Sequence, residues 1–312
     1  AHVAAFLRHL KAEGAAFDAV LVGRDLRPSS PRIAAACFAA IRAEGRVAVD
    51  CGVLPTPALA LEAARRGVPA VMVTGSHIPF DRNGLKFYRP EGEITKADEA
   101  GILAALDDRE IPAAGASEED GAAGRRYLAR AVDFFGPAPF AGSRFGVYQH
   151  SAAGRDLLVE ALEALGAEVV PLGRTDGFVP IDTEAVAPED AARLATWVLE
   201  NNLDAILSTD GDGDRPLVAD DTGAVLRGDT VGMLAARLLG ADGVATPINA
   251  NTALEKGAFF RHVLRTRIGS PFVIAGIEEL QAGGATLAVG YEANGGFLLG
   301  GEAVDAAGRR LS

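Results

Sequence analysis

The 312-residue chain is poor in cysteine, lysine and tryptophan, and it carries no excess of positive charge. Its two cysteines, Cys37 and Cys51, each lie inside an apolar run, and neither sits in a C-x-x-C or Cys-plus-His spacing. A disulfide framework and a zinc site are therefore not indicated, and both thiols read as inert core residues. No run of about 18 uncharged apolar residues occurs, and the N-terminus lacks the basic, apolar and small-residue series of a signal peptide. No membrane and a reducing cytoplasm are the expectation. Thirty lysines and arginines against 42 acidic residues leave a formal charge of −12, so the bulk surface repels nucleic-acid phosphates and anionic lipid. Nucleic acid is not an expected partner. An anionic small molecule is, wherever the few basic residues gather.

The composition is that of a folded chain: 49% apolar and 23% charged residues are far from a disordered mixture, and 312 residues suggest two or three domains. Helix and strand periods alternate throughout, which predicts an α/β class, with consecutive mixed-sheet domains whose helices cover both sheet faces. Helices are expected over 1–13, 31–43, 58–65, 97–108, 125–135, 153–165, 188–201, 229–239 and 271–282. Strands are expected near 18–23, 47–49, 68–73, 145–148, 168–172, 204–208, 243–248, 262–266 and 285–290. Residues 113–124, small and polar without apolar period, read as a linker. The expected domains are 1–121, 122–224 and 225–312, and the last reads as unfinished because little follows Phe297 to Leu299.

Four segments carry chemistry. Thr74-Gly75-Ser76-His77-Ile78-Pro79 follows an apolar strand, where open α/β sheets place ligands. A serine hydroxyl there suits either attack or carriage of a phosphoryl group, and the plain alternative is a strand-to-loop turn. Asn83-Gly84-Leu85-Lys86 then predicts a hairpin that returns Lys86, one of four lysines, toward Ser76.

Asp210-Gly211-Asp212-Gly213-Asp214-Arg215 also follows an apolar strand and is the strongest signal. In an extended segment, carboxylates at i, i+2 and i+4 point to one side, and the glycines permit tight curvature. At about 5 Å and an effective dielectric near 20, each pair repels by roughly 3 kcal/mol, so a divalent cation is the economical answer. Oxygen ligands suit Mg²⁺, Ca²⁺ or Mn²⁺, and Mg²⁺ is favoured because it keeps positions open for water or a phosphate. A solvated acidic loop is the alternative. An EF-hand is not, since its sixth position would be Arg215 rather than glycine and its twelfth Asp221. Gly290-Tyr291-Glu292-Ala293-Asn294-Gly295-Gly296 offers a carboxylate and an amide two residues apart for vicinal hydroxyls, or is a simple Asn-Gly-Gly turn. Gly23-Arg24-Asp25-Leu26-Arg27 sets two arginines before a helix, where they either meet an anion or leave Arg24 and Asp25 paired on the surface. His2, His9, His150 and His262 lack ligand spacing and read as filler, and Trp197 reads as a packing residue.

In order and content these segments resemble the α-D-phosphohexomutase family, whose phosphomannomutases and phosphoglucomutases move a phosphoryl group between the 1- and 6-positions of a hexose. The first is similar to its T-A-S-H-N-P phosphoserine loop and the second to its D-G-D-x-D-R metal loop. The resemblance implies that Ser76 carries the phosphoryl group and that Asp210, Asp212 and Asp214 bind Mg²⁺ together with phospho-Ser76. It further implies that Arg24, His77, Lys86 and Arg215 surround the transferring phosphate, with Lys86 as an acid or base, and that Glu292 and Asn294 hold sugar hydroxyls. The active site then lies in the cleft between domains. The expected reaction passes through a bound hexose 1,6-bisphosphate, which also serves as activator, in a monomer or homodimer.

A glutamate on O3 and O4 would not sense O2, so both mannose and glucose phosphates are expected substrates, and the Glu-Ala-Asn-Gly-Gly loop is more similar to the bacterial phosphomannomutase branch. Departures from the pattern are Gly75 for Ala, Ile78 for Asn, Asn294 for Ser and Gly296 for His. The family also has a strand and an arginine-containing glycine loop ahead of the position of Ala1, and a fourth, phosphate-gripping domain; neither is in this chain, and without them turnover is expected to be poor. Two other readings stay open at this point. One is a phosphatase with Asp210 as nucleophile and Asp212 as acid; the other is a non-catalytic sugar-phosphate binder.

Overall fold

A computed structural model describes residues 1–76, 78–79, 81–110 and 114–312. The first unit runs α1 (His2–Ala12), β1 (Ala19–Arg24), α2 (Ser30–Ala43), β2 (Val47–Val53), α3 (Thr56–Arg66), β3 (Ala70–Val73), β4 (Leu85–Arg89), β5 (Gly92–Glu93), α4 (Lys96–Ala104) and β6 (Glu118–Glu119). The second runs α5 (Ala123–Phe135), β7 (Arg144–Tyr148), α6 (Arg155–Ala164), β8 (Glu168–Leu172), α7 (Pro188–Asn201), β9 (Ala205–Thr209), β10 (Pro216–Ala219) and β11 (Val225–Leu226). The third holds α8 (Gly228–Leu238), β12 (Gly243–Pro247), α9 (Ala253–Lys256), β13 (His262–Thr266), α10 (Ser270–Ala282), β14 (Ala288–Tyr291) and β15 (Phe297–Leu299), followed by the small hairpin β16 (Ala303–Val304) and β17 (Arg310–Leu311).

The three main sheets, ordered β5-β4-β3-β1-β2-β6, β11-β10-β9-β7-β8 and β13-β12-β14-β15, share one plan. In each, a central strand has a parallel neighbour on either side, and the third strand of the trio turns back into an antiparallel fourth. The period-2 alternation of the sequence does the sorting. Val20, Val22, Val71 and Val73 face a core with α1 and α2, whereas Leu21, Ala70 and Met72 face α3. Helices on both faces thus follow from strands that are apolar on both sides. Among the described residues no helix is long and apolar enough to cross a membrane.

The plan gives the expected α/β class of mixed sheets and corrects one local reading. Residues 118–119 of the supposed linker form β6, paired in parallel with β2 at the edge of the first sheet. Apolar period could not reveal it, because Glu118 and Glu119 are exposed. What holds the segment is polar: Asp120 donates its N–H to Asp50 O at 2.9 Å, and its carboxylate pairs with Arg66 and Arg126. The same arginines, with Arg65, surround the buried Glu62 of α3, so α3 and α5 are bound by charge.

Candidate active site

Three of the four chemistry-bearing segments occupy the same place in their sheets, the connection from the third parallel strand to the antiparallel fourth, while Gly23 to Arg27 follows the central strand β1. Ser76 lies between β3 and β4, Asp210 to Arg215 between β9 and β10, and Glu292 to Gly296 between β14 and β15. The first two loops meet directly: Ser76 Oγ donates to Asp210 Oδ2 at 2.9 Å.

Ser76 has φ +48°, a left-handed conformation that a non-glycine residue holds only when its surroundings impose it. Those surroundings are a residue the sequence reading left aside. Arg27 is fully buried and uses all five donors: Nε reaches Asp25, Nη1 the carbonyls of Pro79 and Arg82, and Nη2 those of Ser76 and Ile78, at 2.7 to 3.2 Å. Asp25 in turn accepts from Thr74 Oγ1, Ser30 Oγ and the Arg27 amide. Gly75 is required there, since a Cβ would stand 2.8 Å from Arg27 Cζ. The expected surface pair of Arg24 and Asp25 is therefore wrong: Asp25 is buried with Arg27, and Arg24 pairs with Asp50 at 2.6 Å. Arg24 is thus not among the described groups bonded to the cluster. His77 lies outside the described residues.

The three aspartates converge, with one oxygen from each within 4.8 Å of the others. They do so through a tight turn rather than an extended segment, because Asp210 N–H closes on Arg215 O at 3.0 Å and Gly213 takes φ +75°. Three backbone and side-chain bonds from the end of β7 brace this turn: Ser208 Oγ to Tyr148 O, Ala153 N–H to Gly211 O, and the buried His150 through Nε2 to Thr209 O at 2.8 Å. Burial lowers the His150 pKa to about 4, so the ring is a neutral brace rather than filler. From the first unit, Thr56 Oγ1 donates to Asp212 Oδ2 at 2.6 Å, and Lys86 Nζ reaches Asp212 Oδ2 at 2.7 Å and Asp214 Oδ2 at 2.6 Å. The β3–β4 hairpin thus delivers Lys86 to the aspartates.

The charges are strongly coupled. Burial, then the charges of Asp212 and Asp214, lift Asp210 well above the carboxylate range. Burial acts the same way on Asp212 but is outweighed by the Lys86 charge and the bonds from Lys86 and Thr56, which hold it low. Burial alone would depress Lys86, yet Asp212 and Asp214 raise it above the ordinary ammonium range. Two carboxylate oxygens, Asp212 Oδ1 and Asp214 Oδ1, are buried without a hydrogen-bond partner. Unpaired buried anionic oxygens beside Asp210 and Ser76 Oγ fit a hard, oxygen-preferring divalent cation.

Arg215 stands between this cluster and the third loop: its Nε is 3.9 Å from Asp214 Oδ1, and its charge partly offsets the burial that raises Glu292. The Gly269 backbone and the Asn294 side chain also act against the burial that raises Glu292. Asn294 is buried, its Oδ1 taken by Gly296 N–H at 2.8 Å and its carbonyl by Thr183 Oγ1 at 3.2 Å. Of the residues missed by sequence reading, Arg27 was signalled only by its closeness to Asp25, and Thr56 and His150 by nothing local.

Comparison with known proteins agrees with this geometry. The description "Phosphoglucomutase/phosphomannomutase, alpha/beta/alpha domain I" matches residues 1–111, and domain II of the same description matches residues 126–223. A phosphomannomutase of Salmonella muenchen is 52% identical over 91% of this chain, and one of Sinorhizobium fredii is 48% identical over 90%. The chain spans 59% and 60% of the lengths of those two relatives. A crystal structure of a phosphoglucomutase/phosphomannomutase family protein from Burkholderia thailandensis aligns over 96% of this chain and 67% of its own, at 26% identity and a TM-score of 0.78. By sequence, by fold and by the order of its three loops, the chain belongs to the phosphoglucomutase/phosphomannomutase family.

Proposed function

We propose that the protein is a phosphohexomutase that interconverts hexose 1-phosphate and hexose 6-phosphate, with mannose and also glucose phosphates as substrates. The observation that carries the reading is the bond from Ser76 Oγ to Asp210 beside two buried oxygens of Asp212 and Asp214 that accept no hydrogen bond. Ser76 carries the phosphoryl group, received from a hexose 1,6-bisphosphate activator. Asp210, Asp212 and Asp214 hold Mg²⁺, which neutralises charge on the transferring phosphoryl group when bound. Phosphoryl transfer needs positioning and charge more than covalent help, and the chain supplies both. Arg27 fixes the Ser76 backbone. Lys86, held protonated by Asp212 and Asp214, serves as a charge partner of the carboxylate cluster. Arg215 contacts the phosphate, Glu292 accepts from vicinal sugar hydroxyls, and His77 and Arg24 complete the anion's surroundings as the family pattern implies. Asp210, fully buried and already accepting from Ser76, Gly213 and Arg215, is poorly placed as the nucleophile of a phosphatase.

The proposed domains are 1–121, 122–224 and 225–312, with the second boundary moved beyond Leu226 because Val225–Leu226 pair with β10 of the second sheet, in a cytoplasmic monomer or homodimer. Burial pushes Cys37 up to about 12 and Cys51 up to about 11, leaving both thiols inert. The test is phosphopeptide mass spectrometry after incubation with Mg²⁺ and a hexose 1,6-bisphosphate. Phosphate on Ser76, absent from Ser76→Ala, is the expected result. Hydroxylamine-labile phosphate on Asp210 overturns it. A preference of more than roughly a thousandfold in kcat/KM between the mannose and glucose 1-phosphates would remove the dual specificity.

A further inference from the structure

The cation site of the second unit has a buried neighbour in the first that the reaction as described does not use. Thr56 opens α3 and is 3% exposed. It grips Asp212 twice, through its N–H to the main-chain carbonyl at 2.8 Å and through Oγ1 to Oδ2 at 2.6 Å. With Lys86 Nζ on the same Oδ2, that oxygen is saturated, and Oδ1 is left buried and without a partner. The preceding Pro55 makes the approach possible by seating against two glycines of the second unit: a Cβ on Gly154 would lie 2.8 Å from Pro55 Cγ, and one on Gly213 3.0 Å from Pro55 Cβ.

We propose that Thr56 is a positioning residue that selects which oxygen of Asp212 faces the cation, so that the metal site of the second unit is complete only when α3 of the first is docked on it. This rests on the reading that Asp210, Asp212 and Asp214 hold a divalent cation. A carboxylate with one oxygen pinned cannot rotate, so its free oxygen is presented at one place before the cation arrives. Groups that orient a ligand in this way typically contribute about 10–100-fold in metal affinity.

The experiment is calorimetric titration of the full chain with Mg²⁺ alone and Mn²⁺ alone, alongside thermal melting without metal. Thr56→Val keeps the shape and removes the donor; Thr56→Ser keeps the donor and removes the methyl. Thr56→Val is expected to weaken both cations by about 10–100-fold, Thr56→Ser by less than about threefold, with apo midpoints within a few degrees of wild type. Should Thr56→Val not fold, Thr56→Cys, with only a weak donor, replaces it in the same comparison. Wild-type affinity in the valine variant overturns the proposal. Equal weakening in valine and serine variants overturns it too, because shape and not the hydroxyl would then matter. A wild-type chain that binds cation but transfers no phosphoryl group to Ser76 would break the mutase reading while leaving Thr56 its role, whereas no cation binding by wild type would break both.

Discussion

Thr56 and Ser270 occupy equivalent positions in two units: each opens the helix after the second parallel strand, each is followed by proline, and each hydroxyl reaches into another unit. Their surroundings differ. Thr56 is buried and bonds Asp212 twice, beside Pro55 packed against glycine. Ser270 is half-buried and makes one contact, 2.9 Å to the exposed Glu93 at the tip of the β4–β5 hairpin. The end of the candidate site from Arg27 to the aspartates, the proposed phosphoryl end, is cross-braced by buried bonds, whereas the unit that carries Glu292, the proposed sugar end, is latched to the first by one exposed bond. The contrast suits the proposed reaction. Charge stabilisation requires donors placed in advance, while a bisphosphate that must present first one phosphate and then the other requires a wall that lets go.

Arg27 offers the severest test of the braced end. Replacing it with leucine strands Asp25 as a buried, unpaired charge and frees the carbonyls of Ser76, Ile78, Pro79 and Arg82. Urea denaturation of Arg27→Leu should show a loss of about 3–5 kcal/mol. Arg27→Lys should recover less than half of it, because an ammonium cannot supply the planar fork. A loss below about 1 kcal/mol would mean that the brace does not bear on stability and that the contrast with the sugar end is only geometric.

At the loose end, Glu292→Gln should lower kcat/KM by about 10–100-fold, through KM more than kcat, with the melting temperature unchanged. Burial raises the Glu292 carboxyl above its ordinary value, and in the proposed reaction its ionised form accepts from sugar hydroxyls. Activity should therefore fall as pH drops through that raised value, and the acid limb should move to lower pH in the glutamine variant. An acid limb that stays in place would assign it to another group.

The braced end is only partly legible in the sequence. The serine and the aspartates stood out because each follows an apolar strand and breaks its period with glycines and oxygen donors, which is where the shared sheet plan places its loops. Arg27 did not, since charged residues default to the surface and its burial depends on carbonyls contributed by residues 76 to 82, across the sheet. Thr56 reads as an ordinary helix start, and its partner lies 156 residues away. The edge strand at Glu118 and Glu119 has no apolar face to betray it, and only its pairing with Val49 and Asp50 defines it.

Between the two ends in expected size is the charge cluster that binds α3 to α5. Burial alone would raise Glu62, but hydrogen bonds from Arg65, Arg126 and Arg66 lower it from an ordinary 4.5 to about 2. A depressed carboxyl stabilises the fold above its unfolded pKa, and that contribution is lost as pH falls from about 4.5 toward 2. Allowing for water around the partly exposed arginines, about 1–2 kcal/mol is involved. Glu62→Gln should remove it at pH 7 and flatten the acid side of the stability profile between those values. An unchanged profile would show that the arginines are screened out of the balance.

The smallest effect should come from the rim. Ser270→Ala deletes one exposed hydrogen bond to Glu93, which is worth about 1 kcal/mol or less, so stability in urea should stay within about 0.5 kcal/mol of wild type. What should change is the position of the cleft. A contact that exists only when the first and third units touch biases closure by no more than about fivefold, and KM for the sugar phosphate should rise by up to that factor while cation affinity stays constant. Glu93→Gln, which keeps an acceptor but removes the charge, should fall between Ser270→Ala and wild type. Set beside Thr56→Val, the pair separates the two hydroxyls cleanly: one should move metal binding and not KM alone, the other KM and not metal binding. If Ser270→Ala instead destabilised the fold by more than about 2 kcal/mol, the rim contact would be a structural brace like its counterpart at Thr56, and the sugar end would be no looser than the phosphoryl end.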